Sequence, residues 1–202
     1  MDGSKTTGTM SDAELSVVLS RVRLGDVDAW GEMYRRFAPA IFRFCRRALP
    51  TREDAEDATT EIFMKVRDKL GTFDSSRPFT AWLYKVAGNH CWDTLRRRRI
   101  RQDLETADSD ALPLGHPDPS QLERMLAERS SEDVRAGLAR LPDRARMALT
   151  LRYYAEMSYE EIADTLGVRR PFVGVLLLRA RHDLRDILQR GDAQPQPAGR
   201  KS

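Results

Sequence analysis

Three acidic side chains within residues 51–70 have a spacing that could bring them together. Asp54, Asp57 and Glu61 are three and four residues apart, so on a helix they would project from one face. Carboxylates held side by side can act as a general acid and a general base. No glycine-rich loop or nucleophile accompanies them, so we favour a solvated face or a docking face for a basic partner.

A second group of side chains, within residues 78–101, mixes aromatic rings, an amide and cations. Its members are Tyr84, Lys85, Asn89, Trp92, Arg96 and Arg97, and five of the six residues 96–101 are arginine. Aromatic rings stack on bases and cations pair with phosphates, so this mixture is typical of a surface for single-stranded nucleic acid. A charged helix end is the simpler alternative, because cations favour a helix C-terminus. Five arginines without an interleaved acid are more than a helix C-terminus requires.

The two cysteines, Cys45 and Cys91, do not indicate a metal site. Cys91 follows His90, but no second pair of ligands stands at the spacing that zinc sites use. We therefore expect no metal and no cofactor, and two buried or half-buried thiols.

Residues 158–180 predict two short helices joined by a tight turn. Ser158 and Glu161 form a capping box at the start of the first helix, and Gly167 suits a left-handed position just past its end. Pro171 fits the first turn of the second helix. The pattern is typical of a helix-turn-helix, whose second helix enters a DNA major groove. An ordinary helical hairpin in a core is the alternative.

Composition and periodicity predict an all-α protein. The chain has 202 residues, 32% of them charged, and a net charge of +3, which suits two small helical domains with wide solvated faces. We expect an acidic, proline-containing linker between them, with the helix-turn-helix in the second domain. The predicted parts are an N-terminal extension at 1–25, a first domain at 26–101, the linker at 102–129, the helix-turn-helix domain at 130–190 and a disordered tail at 191–202. No apolar run approaches the ~20 residues of a membrane span, and residues 1–16 lack the apolar centre of a signal peptide, so we expect a cytoplasmic protein.

The second helix of the helix-turn-helix is more apolar than DNA reading requires. At 100° per residue, its extra apolar side chains cannot all face inward, and at least two should point outward. These side chains are Phe172, Val175, Leu176 and Leu178. An exposed apolar strip marks a protein contact, so we expect a partner protein to cover it.

The order of these parts resembles the extracytoplasmic-function (ECF) class of bacterial sigma factors over residues 26–188. DAEDATTEIFMKV is similar to that family's polymerase-docking helix, and FTAWLYKVAGNHCWDTLRRRR to its minus-ten promoter helix. LARLPDRARMALTLRYYAEMSYEEIADTLGV is similar to the start of its minus-thirty-five domain. The resemblance implies a non-enzymatic protein that directs promoter recognition, promoter melting and transcription initiation. Its implied partners are core RNA polymerase and promoter DNA. For the apolar strip of the recognition helix, we expect an anti-sigma factor or a polymerase-bound regulator as the partner.

The resemblance also assigns site residues. It implies polymerase contacts at Asp54, Asp57, Thr60 and Glu61, minus-ten contacts at Trp82, Lys85, Asn89, Arg96 and Arg97, and minus-thirty-five contacts at Arg169, Arg170, Phe172 and Arg179. Asn89 matches the position beside the pocket for a flipped base. Thr60 stands where the family usually has Gln, and Gly88 where it usually has Arg. In the recognition helix, FVGVLL replaces the usual Thr-Val-Lys-Ser-Arg-Leu.

Two other classes of protein fit the sequence less well. A helix-turn-helix regulator that works without polymerase would leave the acidic helix and the aromatic–Asn–Arg helix unexplained. A nucleic-acid enzyme would need a metal or nucleophile constellation, and the sequence offers none.

Overall fold

The computed structural model describes residues 11–101 and 130–192, and every regular element within them is helical. Its helices are α1 (Asp12–Arg23), α2 (Val27–Ala48), α3 (Arg52–Lys69), α4 (Phe79–Arg101), α5 (Ser131–Ala139), α6 (Asp143–Tyr154), α7 (Tyr159–Leu166) and α8 (Arg170–Asp192). A short 3-10 turn, Leu70–Thr72, follows α3. The expected linker and most of the expected tail lie outside the described residues. Among the described helices, none has the length and apolar character needed to cross a membrane.

The first four helices pack into one unit around the inner face of α3. The side chains of Asp26 and Thr51 cap α2 and α3 by accepting hydrogen bonds from backbone N–H groups. The apolar residues that recur at near-helical spacing along α3 are buried throughout, at Ala55, Ala58, Ile62, Val66 and Leu70. It packs between α2 and α4, where Phe44 and Leu83 are each 1% exposed. Burial of each such large side chain stabilises the fold by about 1.5–3 kcal/mol.

Cys45 of α2 and Cys91 of α4 meet inside this core. Both are free thiols and both are buried, as predicted, with their Sγ atoms 3.7 Å apart. The hydrogen bond between them and their burial raise the pKa of the Cys91 thiol well above its usual value. No group of three or more metal-ligating side chains occurs in the described part of the chain.

The second half contains the predicted helix-turn-helix. Ser158 Oγ accepts a hydrogen bond from the N–H of Glu161, and the Glu161 carboxylate accepts one from the N–H of Ser158 at 2.9 Å. Gly167 has a φ of 64°, the left-handed conformation that the sequence predicted. α8 then begins at Arg170, with Pro171 in its first turn. Val173 and Leu177, one turn apart on α8, are buried.

The two halves pack directly against each other, α2 on α5 and α6, and α4 on α6 and α7. Arg146 of α6 is 3% exposed, and its Nε donates to the carbonyl of Ala48 at the end of α2 at 2.9 Å. Arg47 of α2 donates to the Ser131 hydroxyl and lies 4.1 Å from the centroid of the Tyr154 ring. Arg47 is therefore not part of a solvated face of α2, because the second half covers it.

Candidate polymerase and nucleic-acid interfaces

The three acids of α3 share a face, as their spacing predicted, but their surroundings differ. Asp54 is half-buried, and its carboxylate lies 3.2 Å from the guanidinium of Arg98 on α4. Asp57 and Glu61 are exposed. A basic partner that docked on all three acids would compete with Arg98 for Asp54. Asp57 and Glu61 are therefore the more accessible charges.

Behind Glu61, the junction between α3 and α4 holds a buried imidazole. His90 is 2% exposed, and Lys65 Nζ lies 2.9 Å from its Nδ1. An ammonium group can only donate, so Nδ1 accepts and the ring is neutral. Burial lowers the pKa of His90, and the positive charge of Lys65 lowers it further. The sequence drew attention to this residue only as a possible metal ligand.

Thr60 borders a different surface from the acids. It is exposed, and it lines a groove of about 530 Å³ between α2 and α3. The other lining residues are Tyr34, Arg35, Ala38, Pro39, Phe42, Arg52, Glu56 and Thr59. The predicted polymerase contacts therefore lie on two sides of α3, with Thr60 towards α2 and the acids towards α4.

Four of the five predicted minus-ten residues line one cavity of about 520 Å³. They are Trp82, Lys85, Asn89 and Arg96. Lys65 and Lys69 of α3 add positive charge to the same cavity. Arg97 is exposed but does not line it. Trp92 and the carboxylates of Asp93 and Asp164 also line this cavity. An amide, two indoles and four cations thus converge, the groups that hold a nucleic-acid strand, with two acids at the edge of the set.

Packing fixes the Trp82 indole of this cavity. Trp82 is half-buried, and its ring centroid lies 5.3 Å from that of Phe73 and 5.7 Å from that of Phe79. Two aromatic neighbours hold the ring in one orientation. Trp82 is therefore suited to stack on a base without first being ordered.

The arginine run of α4 provides fewer available cations than its length suggests. Arg98 is paired with Asp54, and Arg99 Nε lies 3.4 Å from the carboxylate of Asp143 in the second half. Both arginines are half-buried. The three exposed members of the run are Arg96, Arg97 and Arg101.

α4 also has a second buried face, which the sequence analysis assigned to nucleic acid. Trp92 was expected among the outward side chains, but it is 4% exposed, and the guanidinium of Arg144 lies 5.7 Å from its ring centroid. Gly88 is buried as well. A Cβ atom at Gly88 would lie 2.7 Å from Leu151 Cδ2 of α6. This face receives α6 and α7 of the second half.

The apolar strip expected on the recognition helix α8 is at most partly open to solvent. Leu176 is 8% exposed, and the other three side chains, Phe172, Val175 and Leu178, are half-buried. The expectation of two outward apolar groups assumed that one face of α8 is packed. It was wrong because α5, α6 and α7 all pack against this helix.

The predicted minus-thirty-five residues are spread along α8. Arg169 and Arg170 lie at its start and are exposed, and Arg170 forms an ion pair with Glu160 of α7. Phe172 packs against the core. Arg179 is half-buried nine residues after Arg170. The structure thus brings two arginines together at the start of the helix and leaves Arg179 apart from them.

Two family descriptions match this chain, in the order of its two halves. "Sigma-70 region 2" matches residues 33–100, and "Sigma-70, region 4" matches residues 131–184.

Several known sigma factors are similar to this chain over most of its length. The ECF RNA polymerase sigma factor SigE of Mycolicibacterium smegmatis is 34% identical over 82% of this chain and 64% of its own length. The RNA polymerase sigma factor YlaC of Bacillus subtilis is 31% identical over 78% of this chain and 91% of its own length. SigW of Bacillus subtilis, also an ECF sigma factor, is 27% identical over 85% of this chain and 95% of its own length. This chain therefore spans slightly less than two thirds of SigE and nearly all of SigW.

Solved structures share the fold. The sigma factor RpoE of Bartonella quintana, in complex with the anti-sigma factor NepR, has a TM-score of 0.58 and 21% identity over 81% of this chain and 98% of its own. CnrH in complex with the cytosolic domain of CnrY has a TM-score of 0.55 and 24% identity over 86% of this chain and 96% of its own. The chain belongs to the ECF RNA polymerase sigma factors, non-catalytic subunits that direct promoter recognition, and it carries sigma-70 regions 2 and 4.

Proposed function

We propose that this sigma factor acts in the cytoplasm, binds core RNA polymerase through α3, and holds the melted minus-ten strand against α4. The observation that carries the proposal is the cavity that gathers Trp82, Lys85, Asn89 and Arg96 on one side of α4. Aromatic stacking, an amide and cations are the groups that single-stranded DNA needs.

Each group in the cavity has a distinct role in this proposal. Flipping a base out of the duplex costs a few kcal/mol, and stacking on Trp82 offsets part of that cost. Asn89 is exposed, and its amide can both donate to and accept from a base edge. Lys85 and Arg96 offer charge to the flanking phosphates.

Docking on the polymerase rests on the outer face of α3. Asp57 and Glu61 are exposed there, so a basic partner can pair with both without breaking an ion pair inside the first half. Asp54 joins only if Arg98 releases it. We propose Thr60 as an additional contact from the groove on the other side of the helix.

The helix-turn-helix is proposed to position the protein on the minus-thirty-five element. Arg169 and Arg170 are exposed at the start of α8, where they can reach phosphates, and phosphate contacts place a protein without specifying sequence. Phe172 can contact a thymine methyl group but cannot hydrogen-bond a base edge. Arg179, further along the helix, is a proposed phosphate contact. We therefore expect modest sequence selectivity from this half.

An anti-sigma factor is proposed as a further partner. The support is the RpoE structure of similar fold, which was solved with its anti-sigma factor NepR.

Run-off transcription with bacterial core polymerase tests the proposal. The wild-type protein should confer initiation on a pool of genomic promoter fragments. Asp57→Arg should abolish initiation and co-elution with core polymerase, because a reversed charge at a close contact costs several kcal/mol. Asp68→Arg makes the same reversal at an exposed position near the end of α3 and should leave both unchanged.

Two results would contradict the proposal. Co-elution of Asp57→Arg at wild-type strength would exclude the acidic face of α3 as the docking surface. DNA binding by the wild-type protein without any initiation would instead favour a regulator that works without polymerase.

A further inference from the structure

The connection between α3 and α4 is held by a side chain of the first helix. Arg23 is the last residue of α1, and its Nη2 donates to the carbonyl of Phe73 at 2.8 Å. Its Nε donates to the carbonyl of Leu70 at 3.3 Å. These carbonyls lie 50 and 47 positions further along the chain. One guanidinium therefore ties the end of α1 to the end of α3.

The two carbonyls lie where a helix runs out of its own donors. Carbonyl groups in the last turn of a helix have no N–H group from a following turn to accept from. Leu70 begins the 3-10 turn after α3, Phe73 directly follows that turn, and the Phe73 N–H donates back to the Leu70 carbonyl at 3.2 Å. Cationic side chains commonly bond to such carbonyls, and a guanidinium presents its donors in a fixed fork. Arg23 thus caps this turn from a different helix.

The backbone held by Arg23 places an aromatic ring next to the minus-ten cavity. Phe73 is 7% exposed, and its ring centroid lies 5.3 Å from that of Trp82 and 5.5 Å from that of Phe79. The guanidinium of Arg23 also lies 5.9 Å from the centroid of the Phe73 ring, within the range of a cation–π contact. Arg23 therefore contacts both the backbone and the ring of a residue that packs against Trp82.

Packing alone does not fix this connection on the side of α1. A cavity of about 420 Å³ lies there, lined by Leu15 and Leu19 of α1 and by Phe79 at the start of α4. Arg23 and Phe73 also line it. Where side chains leave a space, dispersion contacts across it are lost. The two hydrogen bonds of Arg23 are therefore the more important attachment of this turn to α1.

We infer that Arg23 is a positioning residue for the minus-ten site: it holds the Phe73 ring in place and so keeps the Trp82 indole ready to stack on a melted base. The inference rests on the proposed function of the α4 cavity. Arg23 does not line that cavity, and α1 precedes residues 33–100, the part that matches sigma-70 region 2. Its effect on DNA is therefore indirect.

The size of the effect follows from the ordering of one side chain. Without Arg23, the Trp82 indole would have to be ordered when the base arrives, and immobilising one side chain on binding reduces affinity by about 2- to 12-fold. Removing the indole should reduce it more, because base–aromatic stacking corresponds to about 5- to 150-fold. We expect losses in these two ranges for Arg23→Gln and Trp82→Ala on a promoter that is already melted.

The test measures DNA affinity of the polymerase-bound protein on two fluorescent fragments of one promoter from which the wild type initiates. One fragment is fully duplex, and the other has a mismatched minus-ten segment. Arg23→Gln should weaken binding to the mismatched fragment and leave duplex binding nearly intact. In a Trp82→Ala background, Arg23→Gln should cause no further loss, because the side chain that it positions is absent. A purely structural role would weaken binding equally in both backgrounds.

Two controls make the result specific to the positioning role. Arg21→Gln removes the same charge from α1 at an exposed position whose ion pairs are with Asp26 and Glu32, and it should match the wild type. The salt slope should be the same for Arg23→Gln as for the wild type, because a lost phosphate contact would reduce it by about 0.9. Circular dichroism and thermal unfolding check that each variant is folded at the assay temperature.

The outcomes separate this inference from the proposed function. Wild-type affinity of Arg23→Gln for the mismatched fragment, or an equal loss in the Trp82→Ala background, would overturn the inference alone. A salt slope reduced by about 0.9 would also overturn it, because Arg23 would then contact a phosphate directly. Wild-type binding of the mismatched fragment by Trp82→Ala would instead contradict the stacking role in the proposed function, and the inference would fall with it.

Discussion

Replacing Arg146 by methionine should be among the more destabilising single substitutions in this protein. The guanidinium is buried, and it donates to the carbonyls of Ala48 and Leu141 at 2.9 and 3.4 Å and to the carboxylate of Asp143. Methionine retains the apolar stem and most of the volume. The substitution therefore removes donors without leaving a large cavity.

The expected cost follows from which partners lose a hydrogen bond. Asp143 keeps Arg99 at 3.4 Å, so its charge stays paired. The two carbonyls lose a charged donor, and such hydrogen bonds contribute about 1.5–3 kcal/mol each. The bond to Leu141 is long and counts for less, so we expect a loss of about 2–4 kcal/mol in the free energy of unfolding. Replacing a whole buried ion pair by apolar groups can be neutral, but here the acceptors remain.

Urea and thermal unfolding of the full chain measure this loss. For a chain of this size, 1 kcal/mol corresponds to about 2–4 °C in Tm, so Tm should fall by about 5–15 °C. Arg140→Met is the matched control, because Arg140 is exposed in the same half and should change the stability by less than about 0.5 kcal/mol. Equal stabilities for the two variants would refute the view that the buried guanidinium holds the halves together.

Three further predictions concern DNA and pH. Each Arg→Gln substitution at an exposed position of the arginine run should reduce the salt slope of duplex promoter binding by the polymerase-bound protein by about 0.9. With all three substitutions, the change in affinity between 50 and 200 mM salt should be about 40-fold smaller than for the wild type. These positions are Arg96, Arg97 and Arg101. Arg98→Gln should change the slope less, because Asp54 pairs with it; an equal change would show that the pair opens on DNA. Asn89→Ala should reduce permanganate reactivity of promoter thymines while leaving duplex binding nearly intact, and equal weakening on duplex and pre-melted promoters would contradict base capture. The pKa of His90 is lowered in the fold by burial and by Lys65, so the unfolded chain binds more protons below pH ~6.5. The contribution of His90 to the free energy of unfolding should therefore be fully present above that pH and decrease as the pH falls towards the folded pKa. His90→Gln should make the urea midpoint depend less on pH between pH 5 and 8. An unaltered pH profile would assign the effect to other groups.

The sequence predicted best the features that depend on neighbouring residues. The capping box of Ser158 and Glu161, the left-handed Gly167 and the buried stripe of α3 all follow from spacings of three and four along one helix. The acids of α3 were correctly placed on one face for the same reason. That Asp54 is held by Arg98 could not be read from spacing, because the two residues lie 44 positions apart.

The sequence failed where a helix is packed on more than one side. Periodicity assigns each helix one inner face, so the second apolar side of α4 was interpreted as a nucleic-acid surface and that of α8 as a partner surface. Trp92 and Leu176 are instead buried by neighbouring helices. Arg146 gave no signal at all, since nothing in its local sequence distinguishes it from a solvated arginine.

The pair of thiols in the first half has a practical consequence. Cys45 and Cys91 are the only cysteines in the chain, and both lie between α2 and α4 with no exposed surface. A thiol reagent added to the native protein can react only when these helices separate, so its rate reports the free energy of that opening. Comparison of the rate with and without core polymerase would show how firmly docking holds the first half together. The two native thiols thus serve as a probe of the separation of α2 and α4, and no additional cysteine has to be introduced.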